Sequence, residues 1–314
     1  MKHKIFLIGF MWMTLLVTAQ QDPQYSQYQF NQMVINPAYA GSRDALSAVV
    51  DVRQQWSGFD GAPRTQAFSL HGPLKKKRIG LGLSGYSDQI GPKKIVAVYG
   101  SFAYILPITN KLKLSFGLRG GMVNYNIDWN KISYKDQSES FVNSAVNPKP
   151  KFDMDAGVFL KSNTFFVGAS ITHLNGASIY KIQSYGGGAT GTAYYDVSYK
   201  LDPHVFIVAG KAWSLGDNLV FNPTLLIKRT RDVGGADLNL NFLIKQRVWA
   251  GVFFRSDATI GFLTQVYVTD KLRIGYAFDT ATSSVQRRLG AGHEIMIGFD
   301  FNTFKSKMLS PRTL

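Results

Sequence analysis

Along most of this chain, apolar side chains occupy every second position. In the stretch 271–279, Leu272, Ile274, Tyr276 and Phe278 alternate with Lys271, Arg273, Gly275, Ala277 and Asp279. Leu112, Leu114, Phe116 and Leu118 oppose Lys113, Ser115, Gly117 and Arg119 in the same way. Ile295, Ile297, Phe299 and Phe301 likewise oppose Glu294, Met296, Gly298 and Asp300. A period of two sends successive side chains to opposite faces of a strand, so each segment has one apolar face and one small or charged face. The pattern predicts about fourteen strands. They fall at 44–56, 64–72, 78–86, 94–106, 111–128, 151–161, 164–174, 203–214, 219–231, 236–246, 248–256, 259–268, 271–279 and 292–303.

The connections sort by length. Those after odd-numbered strands (57–63, 87–93, 129–150, 175–202, 232–235, 257–258, 280–291) include every long one. Those after even-numbered strands (73–77, 107–110, 162–163, 215–218, 247, 269–270) are tight turns. In an up-and-down meander alternate connections share a side, and short periplasmic turns opposite longer extracellular loops mark an outer-membrane barrel. The expected fold is therefore all-β, a transmembrane antiparallel up-and-down β-barrel spanning 44–304. A soluble sandwich with one face in water would give the same alternation but has no reason to sort its loops. Trp56, Tyr104, Tyr125, Trp129, Trp213 and Trp249 stand near strand ends, where aromatic girdles form, although ordinary packing would also place them there. Phe299, Phe301 and Phe304 enrich the last strand. The stretch QSYGGGATGT, 183–192, reads as a flexible outer loop.

The first nineteen residues differ from the rest. Lys2 and Lys4 precede an apolar run from Ile5 to Val17, and Val17-Thr18-Ala19 sets small residues before Gln20. This is the pattern of a signal peptide, 1–19, cleaved on export, and it is too short for a comfortable membrane helix. The formal charge is +15, of which Lys2 and Lys4 supply two. In an exported protein that excess favours lipid and lipopolysaccharide phosphates or an acidic protein face as partners, and not nucleic acid. The chain has no cysteine, so it must close by backbone pairing or by a large core.

Little in the sequence asks for catalysis or a cofactor. GLGLSG, 80–85, has the spacing of a dinucleotide loop, but KKKR precedes it and no helix pattern follows, so its glycines read as small residues on a strand's inner face. His3, His71, His173, His204 and His293 lie far apart, and no pair has metal-ligand spacing. His293-Glu294 begins like a metalloprotease motif without the second histidine. Asp153, Asp155 and Lys161 share one strand face and read as an ion-paired or solvated inner wall. Lys75, Lys76, Lys77 and Arg78 form a basic periplasmic turn, either a docking point for an acidic partner or a charged cap that keeps a strand end out of the bilayer.

Residues 24–42, QYSQYQFNQMVINPAYAGS, follow neither period. Amide side chains can satisfy an irregular backbone there, and Asn36-Pro37 with Gly41 marks a fixed turn. Tyr25-Ser26-Gln27-Tyr28, Asn31-Gln32 and Asn36-Pro37-Ala38-Tyr39-Ala40-Gly41, followed by Arg53-Gln54-Gln55-Trp56, Gly58 and Pro63, resemble the N-terminal signature of the PorP/SprF family of the Bacteroidetes type IX secretion and gliding machinery. The resemblance implies a non-enzymatic outer-membrane barrel, with no cofactor, that supports secretion or surface attachment of cargo. Such cargo includes adhesins with C-terminal sorting domains, and the implied partners include periplasmic and outer-membrane machine proteins. The alternative function on the same fold is a porin or small-solute transporter. Residues 20–43 are then expected as a lumenal plug or periplasmic strap, and 305–314 as a basic periplasmic tail. Tyr25, Gln27, Tyr28, Asn31, Asn36, Pro37, Tyr39, Gly41, Arg53 and Trp56, with the basic turn, are the candidate contact residues.

Overall fold

A computed structural model describes residues 22–74, 78–128, 131–132, 149–188, 191–283 and 287–301, with backbone alone described from 179 to 199. The alternating segments become long antiparallel strands. They are β1 (Leu46–Gln54), β2 (Arg64–Pro73), β3 (Ile79–Ile90), β4 (Lys93–Pro107), β5 (Lys113–Ile127), β6 (Lys151–Lys161) and β7 (Phe165–Thr172), followed by the hairpin β8 (Ser178–Gly188) and β9 (Gly191–Lys200). The wall resumes with β10 (His204–Lys211) and its short continuation β11 (Trp213–Ser214). It then runs through β12 (Leu219–Arg229), β13 (Gly234–Ile244), β14 (Val248–Arg255), β15 (Thr259–Tyr267), β16 (Leu272–Ala281) and β17 (Gly292–Phe301).

Each wall strand pairs with its neighbours in sequence. β1 also pairs with β17, and β10 pairs with both β7 and β12, so the sheet closes on itself as a barrel of 14 staves. Closure satisfies every edge, which a sheet in hydrocarbon requires. Burial is inverted relative to a soluble sandwich. Leu118 and Ile295 are 59% and 52% exposed on the outside, whereas Arg53 and Glu294 are fully buried inside. Lipid is the solvent that suits such an outer face.

Two expectations change. The segment 183–192 is not a flexible loop where it is described, because Gln183–Gly188 pair with Gly191–Asp196 in the β8–β9 hairpin. Its glycines hide the alternation, but backbone ladder bonds need no side chains. Tyr125 and Trp249 are not girdle residues. Strand parity turns both inward, where Tyr125 packs with Ile95, Tyr99 and Val123 and Trp249 with Val220, Leu243 and Tyr267. Trp56, Tyr104 and Trp213 are exposed. The leader 1–19, Lys75–Lys77, Trp129, Phe304 and the tail 305–314 lie outside the described residues.

Candidate functional site

The chain from Asp22 to Arg43 lies inside the barrel. It runs from the mouth carrying the long loops to the mouth carrying the tight turns. Asp22 bonds His173 just beyond β7, while at the other end Arg43 bonds Asp300 near the end of β17. Three single 3-10 turns, at Tyr28–Phe30, Gln32–Val34 and Pro37–Tyr39, give the strap its shape. Asn36 explains the third. Its Oδ1 accepts from Ala38 N at 2.9 Å and Pro37 pre-sets the first turn position, while its Nδ2 donates to Val158 O at 3.0 Å on β6. Gly41, with φ +72°, then turns the chain so that its N–H donates to His71 Nδ1 at 3.2 Å. The wall makes room with glycine. A Cβ on Gly80 would strike the Ala40 carbonyl, and one on Gly117 the backbone of Pro37 and Ala38.

Apolar contacts fill the centre, where Tyr28, Met33, Ile35, Tyr39, Phe159, Phe166, Phe206 and Leu226 form one cluster. Tyr39 meets Phe159 edge-on at 5.4 Å, and Phe30 meets Trp249 at 5.8 Å. Around this core, ion pairs buried in the wall hold the strap by hydrogen bonds, and Arg43 with Asp300 joins strap to wall directly. Glu294 accepts from the backbone N–H groups of Ser26 and Gln27 at 2.7 and 2.8 Å. Arg53 donates to Ser26 Oγ at 2.7 Å and to Glu294 at 3.1 Å, and pairs with Asp279 at 2.7 Å. Asp300 joins Arg43 at 2.9 Å to Arg273 at 2.7 Å. Arg119 pairs with Asp155 and donates to the carbonyls of Met33 and Val34 at 3.4 Å. Arg255 spans Asp237 at 3.2 Å and Ser26 Oγ at 3.3 Å. A buried charge needs a partner and further hydrogen bonds, and these groups have both.

At the outer mouth His173 sits between two carboxylates. Its Nδ1 is 2.7 Å from Asp153 Oδ2 and its Nε2 is 2.7 Å from Asp22 Oδ1. A left-handed φ of +55°, costly for a non-glycine residue, aims the ring. Burial lowers the His173 pKa, but the Asp22 charge and bonds to Asp153 and Asp22 outweigh it and hold the group up at about 11. Burial pushes Asp22 up, yet His173 and His204 hold it well below the usual carboxylate range. One ligand atom from each of Asp22, His173 and His204 falls within 4.8 Å of the others, and Asp153, Asp155 and His173 form a second such group. Linear spacing gives no sign of this cluster. His173 and His204 flank the β8–β9 hairpin, and only the pairing of β7 with β10 brings them together.

Of the residues singled out in the sequence, Tyr25, Gln27, Tyr28, Asn31, Asn36, Pro37, Tyr39 and Gly41 lie on the strap, and Arg53 faces it from β1. Trp56 stands apart in the β1–β2 loop with φ +49°, and Arg78 is exposed in the β2–β3 turn. Sequence reasoning missed Glu294, Asp279, Arg119, Arg255 and Asp300 as strap contacts. Their signal was parity, since each is a charged residue at an inward position of an otherwise apolar strand.

A closed antiparallel sheet, apolar outside and charged within, defines an integral outer-membrane β-barrel, here filled by its own N-terminal segment. Among solved structures it is similar to CymD, a monoaromatic hydrocarbon channel, at 10% identity over 86% of this chain and 91% of that chain, with a TM-score of 0.52. It is also similar to the toluene transporter TbuX of Ralstonia pickettii, at 10% identity over 86% and 93%, with a TM-score of 0.49. At that identity the likeness to CymD speaks for the fold alone. No curated protein matches. Residues 17–299 match the family described as type IX secretion system membrane protein PorP/SprF, and the chain belongs to that family.

Proposed function

We propose that the protein is a non-enzymatic outer-membrane component of the type IX machine that supports export or surface attachment of large cargo. Adhesins with C-terminal sorting domains are the cargo class, and periplasmic machine proteins are the partners. The observation that carries this reading, beside the family match, is the strap. A lumen crossed by buried ion pairs and aromatic contacts leaves the rims as the working surfaces. The outer loops 129–150, 175–202 and 280–291 would face cargo. Lys75–Lys77, Arg78 and the tail 305–314 would face the periplasm and the phosphates of lipid and lipopolysaccharide. Removal of residues 1–19 on export would leave the strap free to enter the barrel.

Affinity purification in mild detergent tests the reading. It expects a sorting-domain protein or a periplasmic machine component to remain bound, and deletion of the gene to leave an adhesin missing from the surface. A barrel that retains nothing, in a strain exporting all such proteins normally, would sink it. A second reading, passage of a small solute, draws on a pocket at the outer mouth lined by Tyr25, Tyr28, Ile35, Phe206 and Leu226. It requires conductance or solute uptake by the purified, strap-containing barrel in liposomes.

A further inference from the structure

The outer-mouth cluster has the chemistry of a metal site. We propose that Asp22, His173 and His204 bind one divalent transition-metal ion of the Zn²⁺ type, stapling the strap to β7 and β10. The ligand atoms lie within 4.8 Å of one another, and bonds of about 2.0–2.2 Å in a tetrahedral site need only small shifts, with His173 Nε2 and Asp22 Oδ1 parting from 2.7 Å to admit the ion. Two imidazoles and a carboxylate suit Zn²⁺, whereas Ca²⁺ and Mg²⁺ prefer oxygen throughout.

Each histidine is also held as a metal ligand is held, by its other nitrogen. His173 Nδ1 faces Asp153 Oδ2, which accepts a second bond from Tyr99 Oη at 2.9 Å. His204 Nδ1 lies 2.9 Å from the Asp202 carbonyl. Such outer partners fix the ring and leave the opposite nitrogen's lone pair for the ion. His204 is 5% exposed, and its Nε2 has no protein partner among the described residues. Its Nδ1 lies 3.8 Å from Asp22 Oδ2, and an unpaired buried Nε2 on a histidine that neighbours a carboxylate is the observation that points to a ligand.

Charge agrees. Asp22, Asp153 and Asp155 gather here, and among the described residues Arg119 is the one guanidinium bonded directly to them. A dication would offset that excess, displacing the proton that His173 Nε2 shares with Asp22. Access exists as well. Asp22 lines two cavities at this mouth, one shared with His204 and the other with His173.

The experiment uses the full-length barrel in detergent, stripped with a chelator and titrated with Zn²⁺ against a chromophoric competitor. The site expects one equivalent of tight binding, and an absorption band of tetrahedral character with Co²⁺. Asp22→Asn and His204→Ala should each weaken binding by at least ~10-fold, the scale on which metal sites respond to lost partners. His293→Ala, remote from the cluster, should bind as the parent does. Asp22→Asn alters no strand, so unchanged heat-dependent gel mobility in that variant separates a lost ligand from a lost fold. Binding below one equivalent, or equal affinity in the parent and both ligand variants, overturns the site. Neither result bears on whether the barrel serves secretion.

Discussion

Arg53 divides its guanidinium among Ser26 on the strap, Glu294 on β17 and Asp279 on β16, with no exposure to solvent. Removing one member of a buried pair strands the others, at a typical cost of ~3–5 kcal/mol. Arg53→Ala is therefore expected to unfold at markedly lower urea, read as loss of the folded gel band. Arg53→Lys should recover only part, because an ammonium cannot fork to two carboxylates. An Ala variant with the parent's midpoint would refute the network's role. Gly117→Val tests space instead of charge. Its added carbons would meet the backbone of Pro37 and Ala38, so protease should cut within 22–42 while the wall stays folded. At this scale the sequence was half legible. Arg53 stood out beside the unusual N-terminal signature, but its partner Glu294 lies 241 positions away and no local pattern joins them.

Among elements, the strands were the most legible because lipid enforces outward apolarity on every second residue, turn after turn. The strap was legible as an exception. It follows neither period because a segment surrounded by wall on all sides has no single face to bury, and short 3-10 turns meet that demand with local bonds. The β8–β9 hairpin was hidden since Gly186, Gly187 and Gly188 give no alternation to read. Deleting residues 22–42 should convert a quiet barrel into a conducting one in planar bilayers and lower its unfolding temperature. A deletion that conducts no more than the parent would show that the strap does not seal the lumen.

For the molecule as a whole, the sorting of long and short connections made the topology legible. The structure supplies the register, pairing Val50 with Ile297 across the seam, both exposed to the outside. The chain has no cysteine of its own. Val50→Cys with Ile297→Cys should cross-link efficiently under mild oxidation, since Cα atoms directly opposite in an antiparallel pair stand about 4.5–5.5 Å apart. Failure to form that bond in folded protein would mean the ring is open at this seam. The metal-type cluster and the strap's ion pairs were beyond reach at any scale of sequence reading, because ring closure itself creates them.

That closure imposes an order in time. Ser26 is among the earliest of the strap residues to leave the ribosome, yet its backbone N–H waits for Glu294, 268 residues later, before it has its acceptor. The strap cannot take its seat until the final strand has been made and delivered. Once β1 and β17 zip together, it can leave only lengthwise. A chain truncated before β17 would thus present a loose, aromatic N-terminus to periplasmic proteases, and a finished one would not. The same contacts that fill the lumen also report that the last strand of the wall has been made.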